Sequence, residues 1–249
     1  MRSSRLLRYF DEYMKNIDMN NTWSKAKYFH SLKSMDLAKT IATSFAIFSE
    51  EEIVVIELIA LFHDIGNFEQ KNYNYLDNIE EDSTMKSIEI LFDDGLIRKI
   101  TEETKYDNII KLAIFCHNKD KLPQNIDEKT TIICNIMKDV HRIEELRMVI
   151  NYPYIDNRID EYPSTLVYND FKLFIPVNKK MSDNNADNIL ISLSNLFGLN
   201  YSISYSLIEE KGYINKIIDS LIFEDRKIEK FFKQIEAVLN SYIKKKIVN

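Results

Sequence analysis

The sequence predicts an all-α protein, and three observations point that way. Only four glycines and four prolines occur in 249 residues, too few for the tight turns that β-rich architectures need. Apolar residues recur at intervals of three and four along most of the chain, the spacing that lines one face of a helix. Helix-start signals stand where those stretches begin, the clearest being Ser49-Glu50-Glu51-Glu52, which has the Ser-x-x-Glu form of a capping box. A hydrophobic content of 45% is enough for one large core. The chain reads as a single helical domain over residues 1–249, with a core at about 22–150 and a C-terminal helical extension at about 186–246.

Leu6, Leu7, Phe10, Tyr13, Met14 and Ile17 predict an amphipathic helix from about Ser4 to Asp18. Asn20-Asn21 breaks it, and Thr22 or Ser24 is placed to cap a second helix running to about Phe48. Ala26, Phe29, Lys33, Leu37, Ile41 and Phe45 share a face of that helix, with His30 at its edge. The helix opened by Ser49 is apolar nearly all round from Ile53 to Phe62, which predicts a central, buried position. It ends in the adjacent pair His63-Asp64, and Gly66 is placed as its left-handed terminator. Residues Asn67 to Glu81, with Tyr73 and Tyr75, read as a long loop. Asp82 is placed to cap a helix through Phe92 that Gly95 closes. Tyr106, Ile109, Ile110, Ala113, Ile114 and His117 fall on one stripe, which puts His117 at the inner face and C-terminal end of a further helix. Another runs from Thr130 to about Asn151, with Ile132, Ile133, Ile136, Met137, Val140 and Ile143 inward. Residues 151–185 hold three of the four prolines and alternating fragments such as Leu166-Val167-Tyr168, and read as an irregular insertion with one short hairpin. Helical patterning resumes at Ala186–Phe197, Ser204–Glu210, Tyr213–Leu221 and Asp225–Lys246.

Several classes of partner are not indicated. The net charge is -6 with both signs mixed along the chain, and no basic block suggests a nucleic-acid partner. No uncharged apolar run reaches about 18 residues, so no membrane span is expected. The first twenty residues lack a secretory apolar core, and the expected compartment is the cytoplasm. Cys116 and Cys134 read as reduced core residues. Tyr152, Tyr154, Tyr162, Tyr168, Phe171 and Phe174 of the insertion either cover the domain's own core or form a homodimer interface.

His30, His63, His117 and His141 are the chain's only histidines, and each lies close to an apolar helix face. Buried imidazoles and carboxylates lose water and need partners. One hydrogen bond can satisfy each singly. Converging with Asp64 they would suit Mn, Fe, Co, Ni or Zn better than Mg or Ca, which favour all-oxygen shells.

His30-Ser31 followed by His63-Asp64-Ile65-Gly66, and then by a later His and Asp, resembles the HD superfamily of metal-dependent phosphohydrolases. His63-Asp64-Ile65-Gly66-Asn67-Phe68-Glu69-Gln70 is similar to the HDIGRFEQ stretch of one bacterial subfamily. His117-Asn118-Lys119 is similar to its HNK segment, and Asp139-Val140-His141-Arg142-Ile143-Glu144 to its DADKLD segment. The tail segments Leu196-Phe197-Gly198-Leu199-Asn200 and Lys211-Gly212-Tyr213-Ile214 extend the likeness. The resemblance implies an all-α HD-domain bundle with a metal centre that activates water. His30, His63 and Asp64 match its ligand positions. The fourth ligand position, the second Asp of DADKLD, is His141 here. Asp139, two residues earlier, points about 200° away on a helix, so only one of the two can face the metal. Register favours His141 and leaves Asp139 a supporting role. The histidine of the subfamily's DHA segment is Ser83 here, and the arginine of HDIGRFEQ is Asn67. These departures point to one divalent ion rather than two.

On this reading the substrate is a nucleotide or other small phosphate ester. Asp64 takes part in proton transfer, while Lys119 offsets developing phosphate charge. His117, Asn118 and Lys119 form the substrate-binding segment. The alternative is an HD domain that has lost catalysis and binds a nucleotide or a partner, because Ser83, Asn67 and His141 all depart from the family pattern.

Overall fold

The computed structural model describes residues 2–69, 80–119, 121–151 and 156–248. The expected loop carrying Tyr73 and Tyr75, the aromatics Tyr152 and Tyr154, and the capping side chain of Asp82 lie outside the described residues. The chain is all-α, apart from one pair of two-residue strands among those residues. Its contacts divide it into two compact units, Met1–His141 and Arg142–Asn249.

In the first unit, α1 (Ser3–Met14) buries Leu6, Phe10 and Met14 at helical spacing. Phe10 meets Phe62 edge-on at 5.5 Å and stacks on Tyr28 at 5.7 Å. Helix α2 (Thr22–Thr43) starts at Asn21, whose side chain accepts from Trp23 N–H at 2.8 Å. The cap is therefore Asn21 and not Thr22 or Ser24, in keeping with the strong preference of Asn for this position. The inward face of α2 also differs from the expected one. Ala26, His30, Ser31, Ser34, Ala38, Ile41 and Ala42 are buried, whereas Phe29 is 40% exposed. These are mostly small side chains, which let α2 lie close to α3 (Glu50–Phe62). His30 thus sits within the buried face and not at its edge. Large apolar residues dominate a periodicity reading, and small ones are invisible to it.

Helix α3 opens with the expected capping box: Ser49 and Glu52 bond each other's backbone N–H groups. Every residue from Val55 to Phe62 is buried. Glu57, the one charge in that run, is held by Ser3 Oγ at 2.8 Å and Lys39 Nζ at 3.0 Å. Beyond His63-Asp64 the chain tightens into a 3₁₀ turn, Ile65–Glu69. Gly66 is not a left-handed terminator, since the glycines with positive φ are Gly95 and Gly212. Its role is close packing on α4 (Glu80–Ile88). A Cβ at Gly66 would lie 2.5 Å from Ser83 O and 2.7 Å from Ser87 N, and Gly66 N–H donates to Ser87 Oγ at 3.0 Å. Both close neighbours are backbone atoms that cannot swing aside. Gly66→Ala is therefore expected to cost about 1–3 kcal/mol, read as a lower urea midpoint. An unchanged midpoint would show that the turn is free to shift.

Helix α4 begins at Glu80, two residues before the expected start, and runs into one π turn, Glu89–Asp93. Gly95, at φ 76°, then turns the chain into the short α5 (Leu96–Ile100), which periodicity did not predict. Helix α6 (Asp107–Cys116) delivers His117 at its C-terminal end as expected. Helix α7 (Glu128–Asn151) carries Ile133, Ile136, Met137 and Val140 inward, and Cys116 and Cys134 are buried and free.

In the second unit, β1 (Arg158–Ile159) pairs in parallel with β2 (Ile222–Phe223). The hairpin expected near 151–185 is thus replaced by a pairing with a distant segment. Leu166-Val167-Tyr168 lies in α8 (Thr165–Lys172), which Ser164 caps by accepting from Val167 N–H. Three alternating residues are too few to fix a period, and the cap decides. The remaining helices are α9 (Asn185–Ser194), α10 (Ser202–Lys211), α11 (Tyr213–Asp219) and α12 (Arg226–Val248), with Gly212 at φ 62° between α10 and α11. Of the insertion's aromatics, Phe171 is 2% exposed and belongs to this unit's core. Phe174 is 42% exposed and stacks on Tyr242 at 5.3 Å. Among the described residues, no helix is long and apolar enough to cross a membrane.

Candidate metal centre

Three segments of the first unit bring their polar side chains together. The buried face of α2 supplies His30, the end of α3 supplies His63 and Asp64, and the end of α6 supplies His117. His30, His63 and Asp64 each offer one ligand atom, and these atoms all lie within 4.8 Å of one another. His30 Nε2 and His63 Nε2 are 3.2 Å apart. Asp64 Oδ2 is 3.5 Å from His30 Nε2, and its Oδ1 is 3.7 Å from His63 Nε2 and 3.8 Å from His117 Nε2.

Two of the rings are fixed by one local device. His63 Nδ1–H donates to the Ala60 carbonyl at 2.8 Å, and His117 Nδ1–H donates to the Ile114 carbonyl at 2.6 Å. Each histidine follows the last residue of its helix, where carbonyls lack helical partners. Because the carbonyl can only accept, Nδ1 carries the proton and Nε2 presents its lone pair to the centre.

Electrostatics hold the groups in the forms a metal needs. Burial pushes His63 down to about 3; the Asp64 charge opposes this, while His117 and His30 add to it. His63 is therefore a neutral imidazole. Burial alone would raise Asp64, but the Lys27 ammonium holds it well below the usual carboxylate range. Lys27 Nζ is 2.7 Å from Asp64 Oδ2, and this pair was not foreseen from the sequence. Lys27 stands three residues before His30 on α2, and that i, i+3 spacing was the available signal.

This donor set fits a divalent transition metal. Imidazole nitrogens on one ion at about 2.0–2.1 Å would lie roughly 3–3.5 Å apart, and the His30–His63 separation falls in that range. Two neutral nitrogens and one ionised carboxylate are ligands for Zn, Co, Ni, Fe or Mn.

The other sequence-identified residues are placed as follows. The His141 ring centroid is 6.3 Å from that of His63 and 4.9 Å from that of His117. His141 is half-buried, whereas Asp139 is wholly buried. The three-residue group above does not include either of them. Asn118 Nδ2 donates to Thr84 Oγ1 at 3.4 Å, tying the segment after α6 to α4. Lys119 Nζ lies 5.5 Å from the centroid of Phe115, a ring 41% exposed. Ser83 and Asn67 are buried, and Asn67 N–H bonds Asp64 O at 2.9 Å.

Residues 28–146 match the family model for the HD domain. No match was found among curated proteins or among solved structures.

Proposed function

Residues 28–146 are an HD domain, of the metal-dependent phosphohydrolase superfamily, and from that premise we propose that the protein hydrolyses a nucleotide or other small phosphate ester. The observation that supports this most directly is the convergence of His30, His63 and Asp64 within 4.8 Å inside that segment. These three would hold one divalent transition metal, with His141 as the fourth ligand. A metal there supplies Lewis acidity toward a phosphoryl oxygen and toward water.

The remaining chemistry belongs to the chain's own side chains. Asp64 is ionised, held at Oδ2 by Lys27, and turned with Oδ1 toward His63 and His117. That fixed orientation suits a carboxylate that accepts a proton from attacking water. His117 and Lys119 would face the phosphate charge at the end of α6. Asn118 Oδ1 is buried and makes no hydrogen bond to the described residues. It is an unfilled acceptor within the segment that would bind the substrate.

The second reading is a binding module without turnover. It is favoured by the charge balance of the site, where the single carboxylate of the three-residue group already carries an ammonium partner. One assay separates the two. Phosphate release is measured from a panel of nucleotides and small phosphate esters with Mn, Fe(II), Co, Ni or Zn, and again with EDTA. Release that requires metal is expected; nucleotide binding without release, indifferent to metal, would establish the module instead.

A further inference from the structure

Lys27 is a poor candidate for an incidental surface pair. Its side chain is 12% exposed and that of Asp64 is 7%, and they meet at 2.7 Å. The ammonium also lies 5.0 Å from the centroid of Trp23. Trp23, Lys27 and His30 are spaced by four and three residues on α2, so one helix side presents the ring, the cation and the imidazole ligand together. The Asp64 carboxylate is divided between two neighbourhoods. Oδ2 meets Lys27 and also lies 3.5 Å from His30 Nε2, while Oδ1 faces the imidazoles of His63 and His117.

We propose that Lys27 is a positioning residue of this centre, holding Asp64 by one oxygen and setting a deliberately weak affinity for divalent metal. The inference rests on the metal-dependent reading above. The formal charges of His30, His63, Asp64 and Lys27 sum to zero. An arriving dication therefore meets no net attraction from these four groups, whereas the same set without Lys27 carries one negative charge. His141, being an imidazole, adds none. Removing one positive charge a few ångströms from a dication strengthens binding by about tenfold even at water-like screening. Such a charge-balanced, nitrogen-rich set also selects against Mg and Ca, whose binding depends on several oxyanions.

The sign of the effect separates this role from a purely structural one. A Lys27 that merely shaped the site would, when lost, weaken metal uptake or leave it unchanged. The test is calorimetric titration of chelator-stripped full-length protein with Co²⁺ alone, for wild type, Lys27→Gln, Lys27→Met and Lys27→Arg. Lys27→Gln keeps a hydrogen-bond donor within reach of Asp64 and guards against loss of fold in Lys27→Met; circular dichroism confirms folding. Both neutral variants are expected to bind Co²⁺ about tenfold more tightly, and Lys27→Arg to bind like wild type. If wild type binds and the neutral variants bind equally or more weakly, the role of Lys27 is overturned and the metal reading stands. If none of the four proteins takes up Co²⁺, both are overturned.

Discussion

Replacing Asp64 with alanine is expected to abolish metal-dependent phosphate release, by at least about 10²–10⁴-fold, and to destabilise the metal-stripped protein by about 3 kcal/mol or more. The two effects share one cause. The carboxylate is both the one anionic donor that the group offers and the counter-ion of a largely buried ammonium. Breaking a buried pair from one side leaves the other charge without compensation. Urea unfolding in EDTA reads the stability term, free of any metal contribution. Asp64→Asn keeps the shape and a hydrogen-bond acceptor for Lys27, so it should lose as much activity and less stability. Wild-type stability in the alanine variant would mean that Lys27 finds water at no cost.

Acid should destabilise the metal-stripped protein well before its carboxylates protonate, and His63 sets that window. Its folded value of about 3 lies far below the ordinary imidazole value of 6.5. Between the two, the unfolded chain binds a proton that the folded chain refuses. Stability therefore rises with pH across this interval and falls as pH drops from about 6.5 toward 3, by about 1.4 kcal/mol per pH unit. Asp64 acts in a lower window. Its depressed folded value makes its contribution present above the unfolded carboxylate value, near 4, and lost only as pH falls through the folded one. Urea midpoints at pH 7, 6 and 5 isolate the histidine term. His63→Asn should flatten that dependence; an equally steep slope in the variant would refute the assignment.

Sequence patterns served best where a signal is local. The capping box at Ser49, the buried run Val55–Phe62 of α3 and the delivery of His63-Asp64 and His117 at helix ends all follow from neighbouring residues. The reading went astray where the deciding partner is distant or small. The place of Gly66 just past a helix end points to a terminator, whereas its constraint comes from Ser83 and Ser87 across the turn. The α2 face was misassigned because alanine and serine carry little hydropathy yet permit the closest approach. Lys27 was passed over because a lysine in a polar stretch reads as solvated, and its buried partner lies 37 positions away. The strand pair at 158–159 and 222–223 joins segments that no local rule connects.

The Nδ1–H bonds of His63 and His117 to carbonyls three residues earlier constrain how protons travel. An imidazole relays a proton by taking it on one nitrogen and releasing it from the other. In both rings the second nitrogen is committed to a backbone acceptor that cannot take the proton away. These rings can serve as acceptors at Nε2 but not as links in a wire to solvent. On the proposed reading, a proton accepted by Asp64 would therefore have to leave by a group other than these two rings. The same bonds should be visible in nitrogen-15 spectra, as two ring protons that exchange slowly with water.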